Sequence, residues 1–277
     1  MPDWSYRTLF RPLLFSLSAE NGRELALGAM GRLARAPLGP LIIDLFGHMH
    51  PDRRLQRDVQ DLSVPGPVGI GHLVDPHGTA TQAMSRFGVG FMEVGPMAVT
   101  RLVSDQPLEL KQDCDAIVVP AQPVADPVEE WVLRLSTMKR SAAKLLARLT
   151  VSEATAPEQA TEECVAMLRL LAPHVDGFVL ATSDQALRAG WPTDGWRRHL
   201  QLVLEAGRVL RFDGRIWLAI RADLDATQLE EVVGSAVSVR LRGVVVDGRV
   251  AEPGGGFRFG RQTLGSVQQT LHHLRSR

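Results

Sequence analysis

The chain has 277 residues, with 31 lysines and arginines balanced by 31 aspartates and glutamates and a sequence pI near 7.1, so it carries no electrostatic footprint for nucleic acid. At 45% hydrophobic and 22% charged residues it is not a disordered chain, and its length suits one large α/β domain or two small ones. Cys114 and Cys164 are its only cysteines, too few for a disulfide framework or a Cys-rich metal site, and no opening stretch has the pattern of a signal peptide; a cytoplasmic setting is expected. Only Lys111, Lys139 and Lys144 are lysines, which limits chemistry that needs an ammonium at a fixed place.

From Trp4 to Leu17 the residues Leu9, Phe10, Leu13, Leu14 and Leu17 recur at helical spacing and predict a short amphipathic helix. Ser18 can cap a second helix, with Glu20 and Glu24 in its early turns, an apolar stripe of Leu25, Leu27, Met30 and Leu33, and a stop before Pro37. A third apolar piece runs from Leu38 to Phe46. None reaches the roughly 20 apolar residues of a bilayer span. Residues 1–50 therefore read as a helical cap, either packed on the main domain or lying in a membrane interface. The polar, proline-marked stretch 51–67 reads as a linker. Over 68–277 short apolar runs appear at Val68–Val74, Gly90–Val94, Ala116–Val119, Leu145–Val151, Gly177–Ala181, Ile216–Ile220 and Gly243–Val246. Helical patterns separate many of them, at Thr79–Arg86, Pro127–Lys139, Pro157–Leu171, Trp196–Leu210, Thr227–Ser235 and Leu264–Leu274. Strands apolar on both faces that alternate with helices predict a parallel sheet, and so many in one domain favour a TIM-type β/α barrel. Gly254-Gly255-Gly256 reads as a loop.

Two short helices, a linker, the opening Val68-Gly-Ile-Gly-His-Leu-Val-Asp-Pro-His-Gly78 and the segment Phe87-Gly-Val-Gly-Phe-Met-Glu-Val-Gly95 resemble class 2 dihydroorotate dehydrogenase. That family is membrane-associated, quinone-linked and FMN-dependent, and acts in pyrimidine synthesis. The order continues: Asp176-Gly177-Phe178-Val179 is similar to the fourth barrel strand, Leu218 to Leu224 to the fifth, Arg242 to Val246 to the sixth, and Gly255 to Leu264 to a glycine-rich loop before the next helix. The resemblance implies a flavin and orotate at the C-terminal mouth of the barrel, and the family's residues can be sought there one by one. Pro76 stands in the position of a lysine that approaches substrate and flavin, and Pro96 follows Gly95 where the family has a threonine. Of the asparagine-rich substrate segment, aligned with Ile117 to Pro123, only Gln122 keeps an amide. Thr150-Val151-Ser152-Glu153 replaces a Gly-Lys-Asn, Ala219 stands for a flavin-contacting lysine with Arg221 expected on the opposite face, and Asp247-Gly248 replaces a threonine and asparagine. Where the family's serine base is expected, Ser183 lies one step away and Asp184 aligns with it.

These substitutions leave Ser183 and Asp184 as the candidate catalytic residues, and Gly71, Gly95 and Gly255 as the candidate flavin contacts. The expectation is an incomplete barrel of about six strands, with the family's last two βα units and their phosphate-binding loops missing. It would hold no cofactor and serve as an interaction or structural module. The alternatives are an active FMN-dependent dihydroorotate:quinone oxidoreductase and a small-molecule sensor. An open sheet edge at Val68–Val74 and Gly243–Val246 calls for closure by recruitment of Ala116–Val119, by self-association, or by a partner protein or domain. The resemblance also implies peripheral contact with the inner face of the membrane through residues 4–34. His48, His50 and Asp52, and likewise His72, Asp75 and His77, lack the spacing of a defined metal site and read as solvated or loop residues, so no metal is expected. Trp191 to Trp196 reads as a turn that opens a helix.

Overall fold

The computed structural model describes residues 8, 16–47 and 51–275. Most of the expected helix Trp4–Leu17 lies outside them, as do His48 and His50. Helix α1 (Ala19–Arg35) starts where the Ser18 hydroxyl accepts from the Asn21 N–H at 3.3 Å and places Arg32 and Arg35 in its last turn, where its dipole favours cations. Its Gly31 is required by contact: a Cβ there would lie 2.2 Å from the Thr79 carbonyl oxygen. Helix α2 (Gly39–Gly47) turns back, and Ile43 packs with Ala34 of α1 and Ala83 of the barrel. Arg86 clamps Asp44 from the barrel side, with Nε 2.8 Å from Oδ1.

The stretch expected as a linker holds a hairpin, β1 (Arg57–Val59) and β2 (Leu62–Val64). Leu62 and Val64 are buried against Leu146, Val179, Trp217 and Ala219, so the hairpin plugs one end of the sheet's concave side. The main sheet is built from β3 (Gly69–Ile70), β4 (Phe91–Ala98), β8 (Lys144–Leu149), β9 (Gly177–Leu180), β10 (Ile216–Arg221) and β11 (Val244–Asp247), in the order β11-β10-β9-β8-β4-β3, every neighbour parallel. Shorter strands fall between these: β5 (Glu109–Lys111), β6 (Ala116–Val119) and β7 (Asp126–Pro127), the last pairing with β4. The helices are α3 (Thr81–Met84), α4 (Val128–Thr137), α5 (Pro157–Leu171), α6 (Ser183–Arg188), α7 (Thr193–Val209), α8 (Ala226–Ser238) and α9 (Leu264–Arg275). Alternate residues of the strands face opposite ways. Val94, Ala147, Leu149, Phe178 and Leu218 meet Trp131, Met167 and Leu200 of the helices in the main core, while Leu146, Val179, Trp217 and Ala219 line the inside.

The curl of the sheet is fixed by one contact. Arg148 of β8 pairs with Asp247 of β11, three places away in the strand order. In a flat sheet those strands would be about 14 Å apart, so the sheet is bent into a half-barrel of six parallel strands, as the sequence predicts. Ala116–Val119 forms a strand, but in a separate antiparallel sheet with β5, β12 (Val250–Ala251) and β13 (Phe257–Gly260), in the order β12-β13-β6-β5. It is not recruited into the open side of the barrel. Strands β3 and β11 end the parallel sheet, and α9 packs beside β11. No helix among the described residues is long and apolar enough to cross a membrane.

Candidate functional site at the barrel mouth

Parallel strands bring all their C-terminal ends to one side, where barrel proteins build their sites. Here the residues at or just after those ends enclose a cavity of about 410 Å³. Its polar floor is Arg148, Thr150, Asp184, Gln185 and Arg249, and Pro76 and Pro96 stand in its wall. The loops 103–108 and 119–124 form the roof, Gln122 among them.

The floor is a chain of ion pairs. Arg148 Nη1 donates to Glu93 Oε1 at 2.7 Å, and the same guanidinium holds both oxygens of Asp247. Asp247 also accepts from Arg249 Nε at 3.1 Å, and Arg249 Nη2 lies 2.9 Å from Asp184 Oδ2. Arg221 Nε is 3.6 Å from Asp184 Oδ1 and donates to Asp223 at 2.8 Å. His72 Nδ1 meets Glu93 Oε2 at 3.1 Å. Burial opposes the charge on Glu93, but Arg148 and His72 outweigh it and hold the carboxyl far below the usual carboxylate range. Burial likewise opposes ionisation of Asp247, and Arg148 and Arg249 overcome it. For Arg148 the burial is again opposed, by Asp247 and Glu93, and its guanidinium is held charged. Such a network fixes geometry more than it adds stability, since attraction and desolvation nearly cancel, whereas removing one member strands a buried charge at a cost of about 3–5 kcal/mol. Phe257 of β13 closes one flank, with Arg188, Arg221 and Arg249 each within 5.1 Å of its ring centroid.

Of the two candidate catalytic residues, Asp184 lines the cavity and Ser183 does not: the Ser183 hydroxyl is buried and donates to the Ala219 carbonyl at 2.7 Å. None of the candidate flavin contacts lines it. Gly71 precedes the single turn His72–Val74 with open space around it. Gly95 has φ +110° beside the irregularity of β4, where a Cβ would meet the Arg148 carbonyl oxygen at 2.9 Å. Gly255, with φ +91°, sits in the turn between β12 and β13. Arg221 is not on the opposite face from Ala219; two residues apart on one strand, both point inward. Lys144 stands at the far end of its strand, 3.9 Å from Asp176.

The His72, Asp75 and His77 cluster does not assemble. His72 is buried on Glu93 rather than solvated, His77 pairs with Asp126 at 3.1 Å, and the Asp75 carboxylate accepts from Thr79 N–H, Ala80 N–H and the Thr81 hydroxyl at 2.8–2.9 Å. Among the described residues no group of three or more metal-ligating side chains converges. Trp191 and Trp196 are core residues around His199. Sequence reasoning missed Glu93, Arg148 and Arg249. Their signal was present in Glu93 and Arg148: a single charge inside an otherwise apolar strand faces either solvent or a buried partner, and strands covered on both faces leave only the second.

Two floor side chains keep unmatched acceptors. Gln185 donates from Nε2 to Thr150 Oγ1 at 3.2 Å, but its Oε1 accepts nothing, and both Asp184 oxygens are buried without a hydrogen bond, the Arg249 and Arg221 groups standing near but out of line. An acceptor left unmatched, as Gln185 Oε1 is, costs about 1–3 kcal/mol, whereas the two arginines answer the charge of Asp184.

Comparison with known proteins agrees with this architecture. No protein-family model matches the chain. A dihydroorotate dehydrogenase (quinone) of Kineococcus radiotolerans is 25% identical over 303 aligned positions, spanning 99% of this chain and 81% of that protein. One of Alkalilimnicola ehrlichii is 42% identical over 88 residues, 32% of this chain and 24% of that protein. Among solved structures, ligand-free dihydroorotate dehydrogenase from Eimeria tenella superposes with a TM-score of 0.67 at 16% identity, covering 83% of this chain and 76% of that one. The chain is thus similar along nearly its whole length to quinone-type dihydroorotate dehydrogenases, and its six-stranded half-barrel has the fold of an incomplete version of the β/α barrel in the matched structure.

Proposed function

We propose that this chain is a dihydroorotate-dehydrogenase-like barrel domain that works without flavin or orotate chemistry, as an interaction and structural module. The observation that carries this reading is the occupied floor of the mouth. An FMN phosphate or an orotate carboxylate needs cationic or backbone donors that are free to receive it. Here Arg148 and Arg249 are each committed to carboxylates, and the lysine positions of the family hold Pro76, Thr150 to Ser152 and Ala219. An incoming anion would find Arg23 of α1 on the cap side of the cavity, but Asp184 on its floor and Glu153, already paired with Arg188, beside it. The residues present do not fit FMN. The competing reading, an FMN-dependent dihydroorotate:quinone oxidoreductase, draws on the names of the relatives.

The visible absorbance of the purified chain separates the two. Colourless protein that stays so after incubation with FMN and gel filtration is expected; stoichiometric yellow flavin would sink the proposal and promote the oxidoreductase. Two contacts complete the reading. The outer edges of β3 and β11, which pair with no strand among the described residues, favour a second copy or a partner segment that adds strands there, because paired edges remove exposed N–H and C=O groups. The cap is proposed to rest peripherally on a membrane, supported by leucines that the fold leaves exposed on α2.

A further inference from the structure

At the end of the half-barrel opposite the mouth we infer a docking groove for an acidic amphipathic helix of a partner protein, laid along the last turns of α7. It rests on the interaction reading above, to which it gives a partner chemistry, and not on the mouth being free of flavin.

Helices that alternate with parallel strands run back along them, so the C-terminal ends of α5, α7 and α8 gather at the base. The cap lies at the other end, where its Glu20 and Arg23 border the mouth cavity. At the base an open groove runs on each side of α7. The groove towards α5 measures about 520 Å³ and presents Val165, Ala166, Leu202, Ala206 and Val209, the last 84% exposed; Arg169 and Glu162 also border it. The groove towards α8 measures about 460 Å³ and carries Arg197, Arg208 and Arg240. Glu205 borders both, with one oxygen taken by the Gln201 amide at 2.9 Å. An apolar strip beside a basic one complements a helix with leucines on one face and carboxylates along its flank.

The cations are short of partners. Arg197 pairs with Asp194, and nearby Arg140 has Asp176 at 3.1 Å and Arg242 has Asp61 at 3.6 Å. Among the described residues no carboxylate pairs with Arg208, Arg211 or Arg240. The helix dipole accounts for a cation in a last turn such as Arg208. It does not account for the backbone of the other two. Arg211 and Arg240 each stand just past a helix end with φ +62° and +61°, the left-handed conformation that glycine adopts freely and arginine does not. Both helices close in the same way, with the Phe212 N–H donating to the Gly207 carbonyl at 2.7 Å and the Leu241 N–H to the Ala236 carbonyl at 3.0 Å. Glycine would make either closure with less strain, so what each arginine adds is its charge. A nucleic-acid backbone would leave the apolar strip empty and run past Glu162 and Glu205, and a lipid surface is the proposed neighbour of the cap at the far end.

The test is fluorescence anisotropy of a dye-labelled peptide, glutamates with leucines at i, i+3, i+4 and i+7, titrated with the full chain. Binding in the range of about 10–100 μM is expected, weakening at least about fivefold between about 0.05 and 0.5 M NaCl. A peptide with serine for every leucine should bind at least about fivefold more weakly. In Arg211→Gly with Arg240→Gly, binding should fall at least about tenfold while the melting temperature holds or rises. Arg32→Ala with Arg35→Ala removes the same charge from the cap and should leave binding unchanged. Val209→Ser should weaken the leucine peptide severalfold and leave the serine peptide as it was. The inference is overturned by absent binding of the leucine peptide, by equal binding of the serine peptide, or by binding that survives the glycine pair. It is overturned equally if single-stranded DNA or phosphatidylglycerol vesicles bind more tightly than the peptide and lose that binding in the glycine pair. A yellow sample would refute the flavin-free reading alone, since a flavin in the mouth lies at the opposite end of the strands from this groove.

Discussion

His199 shows how far a single side chain can be committed by its surroundings. It is buried beneath Trp191 and stacked on Trp196, with ring centroids 5.6 Å apart at 20°. Its Nδ1 lies 3.0 Å from the Thr161 hydroxyl, which itself donates to the Pro157 carbonyl at 2.7 Å and so must accept from the ring. The proton therefore sits on Nδ1, and Nε2 accepts from Thr182 at 3.2 Å. Burial pushes its pKa down to about 4. The unfolded chain takes up this proton near pH 6.5, so between there and pH 4 the unfolded state binds more protons and stability falls as pH falls. Between pH 7 and pH 5 the loss from this residue is about 2 kcal/mol. Urea unfolding at the two pH values should show it, and His199→Gln should flatten it; an equal slope in the variant would assign the loss elsewhere. Legibility in the sequence was uneven at this scale. Position 184 was found through the resemblance, which aligns it with the family's serine base, but Arg221 was assigned to the wrong face although residues 219 and 221 share parity. Glu93 and Arg148 were passed over because a strand reading based on apolar runs treats an isolated charge as noise.

Among the elements, the six barrel strands and the helices α4, α5 and α7 to α9 were largely legible, because runs apolar on both faces and amphipathic helices leave strong periodic signals, whereas the six-residue α6 (Ser183–Arg188) was not expected. Pro157–Leu171 matches α5 residue for residue. Strands of two to four residues in the antiparallel sheet and the plugging hairpin leave no such signal, and their pairing depends on partners far along the chain: β13 meets β6 across more than a hundred residues. The run Val68–Val74 shortens to the strand Gly69–Ile70, since the chain leaves the sheet at Gly71 for a single turn. In the cap, Leu38, Leu41 and Leu45 are 68%, 67% and 62% exposed at helical spacing, while α1 turns Leu27 and Ala34 to the barrel. Among the described residues of the cap, the most exposed leucines therefore lie at 38–45, past the expected 4–34. With Leu41 and Leu45 replaced by Asp, co-sedimentation with anionic liposomes should fall by at least about tenfold, each leucine being worth roughly 1.5–3 kcal/mol on burial. Co-sedimentation unchanged by the double substitution would make the cap purely structural.

For the molecule as a whole, a six-stranded parallel sheet is short of the eight that close a β/α barrel, and among the described residues no strand pairs with the outer edge of either end strand. Light scattering at micromolar concentration should report a mass above that of one chain. A sharp monomer with slow hydrogen exchange along β11 would mean that the half-barrel protects its own edge. The tie between Arg148 and Asp247 bears on how the chain comes to be folded at all. The two residues are 99 positions apart, so on a ribosome that delivers the chain from its N-terminus the first three barrel strands and their helices emerge well before the acid that completes the floor. Until β11 arrives, Arg148 has only Glu93 and stays hydrated, which keeps the mouth end of the concave side wet while the helical side and the end plugged by Leu62 and Val64 can already dry. The mouth end of the half-barrel then dehydrates late, in one step set by the sixth strand, and a nascent chain halted short of Asp247 would carry an open, water-filled trough for chaperones to recognise.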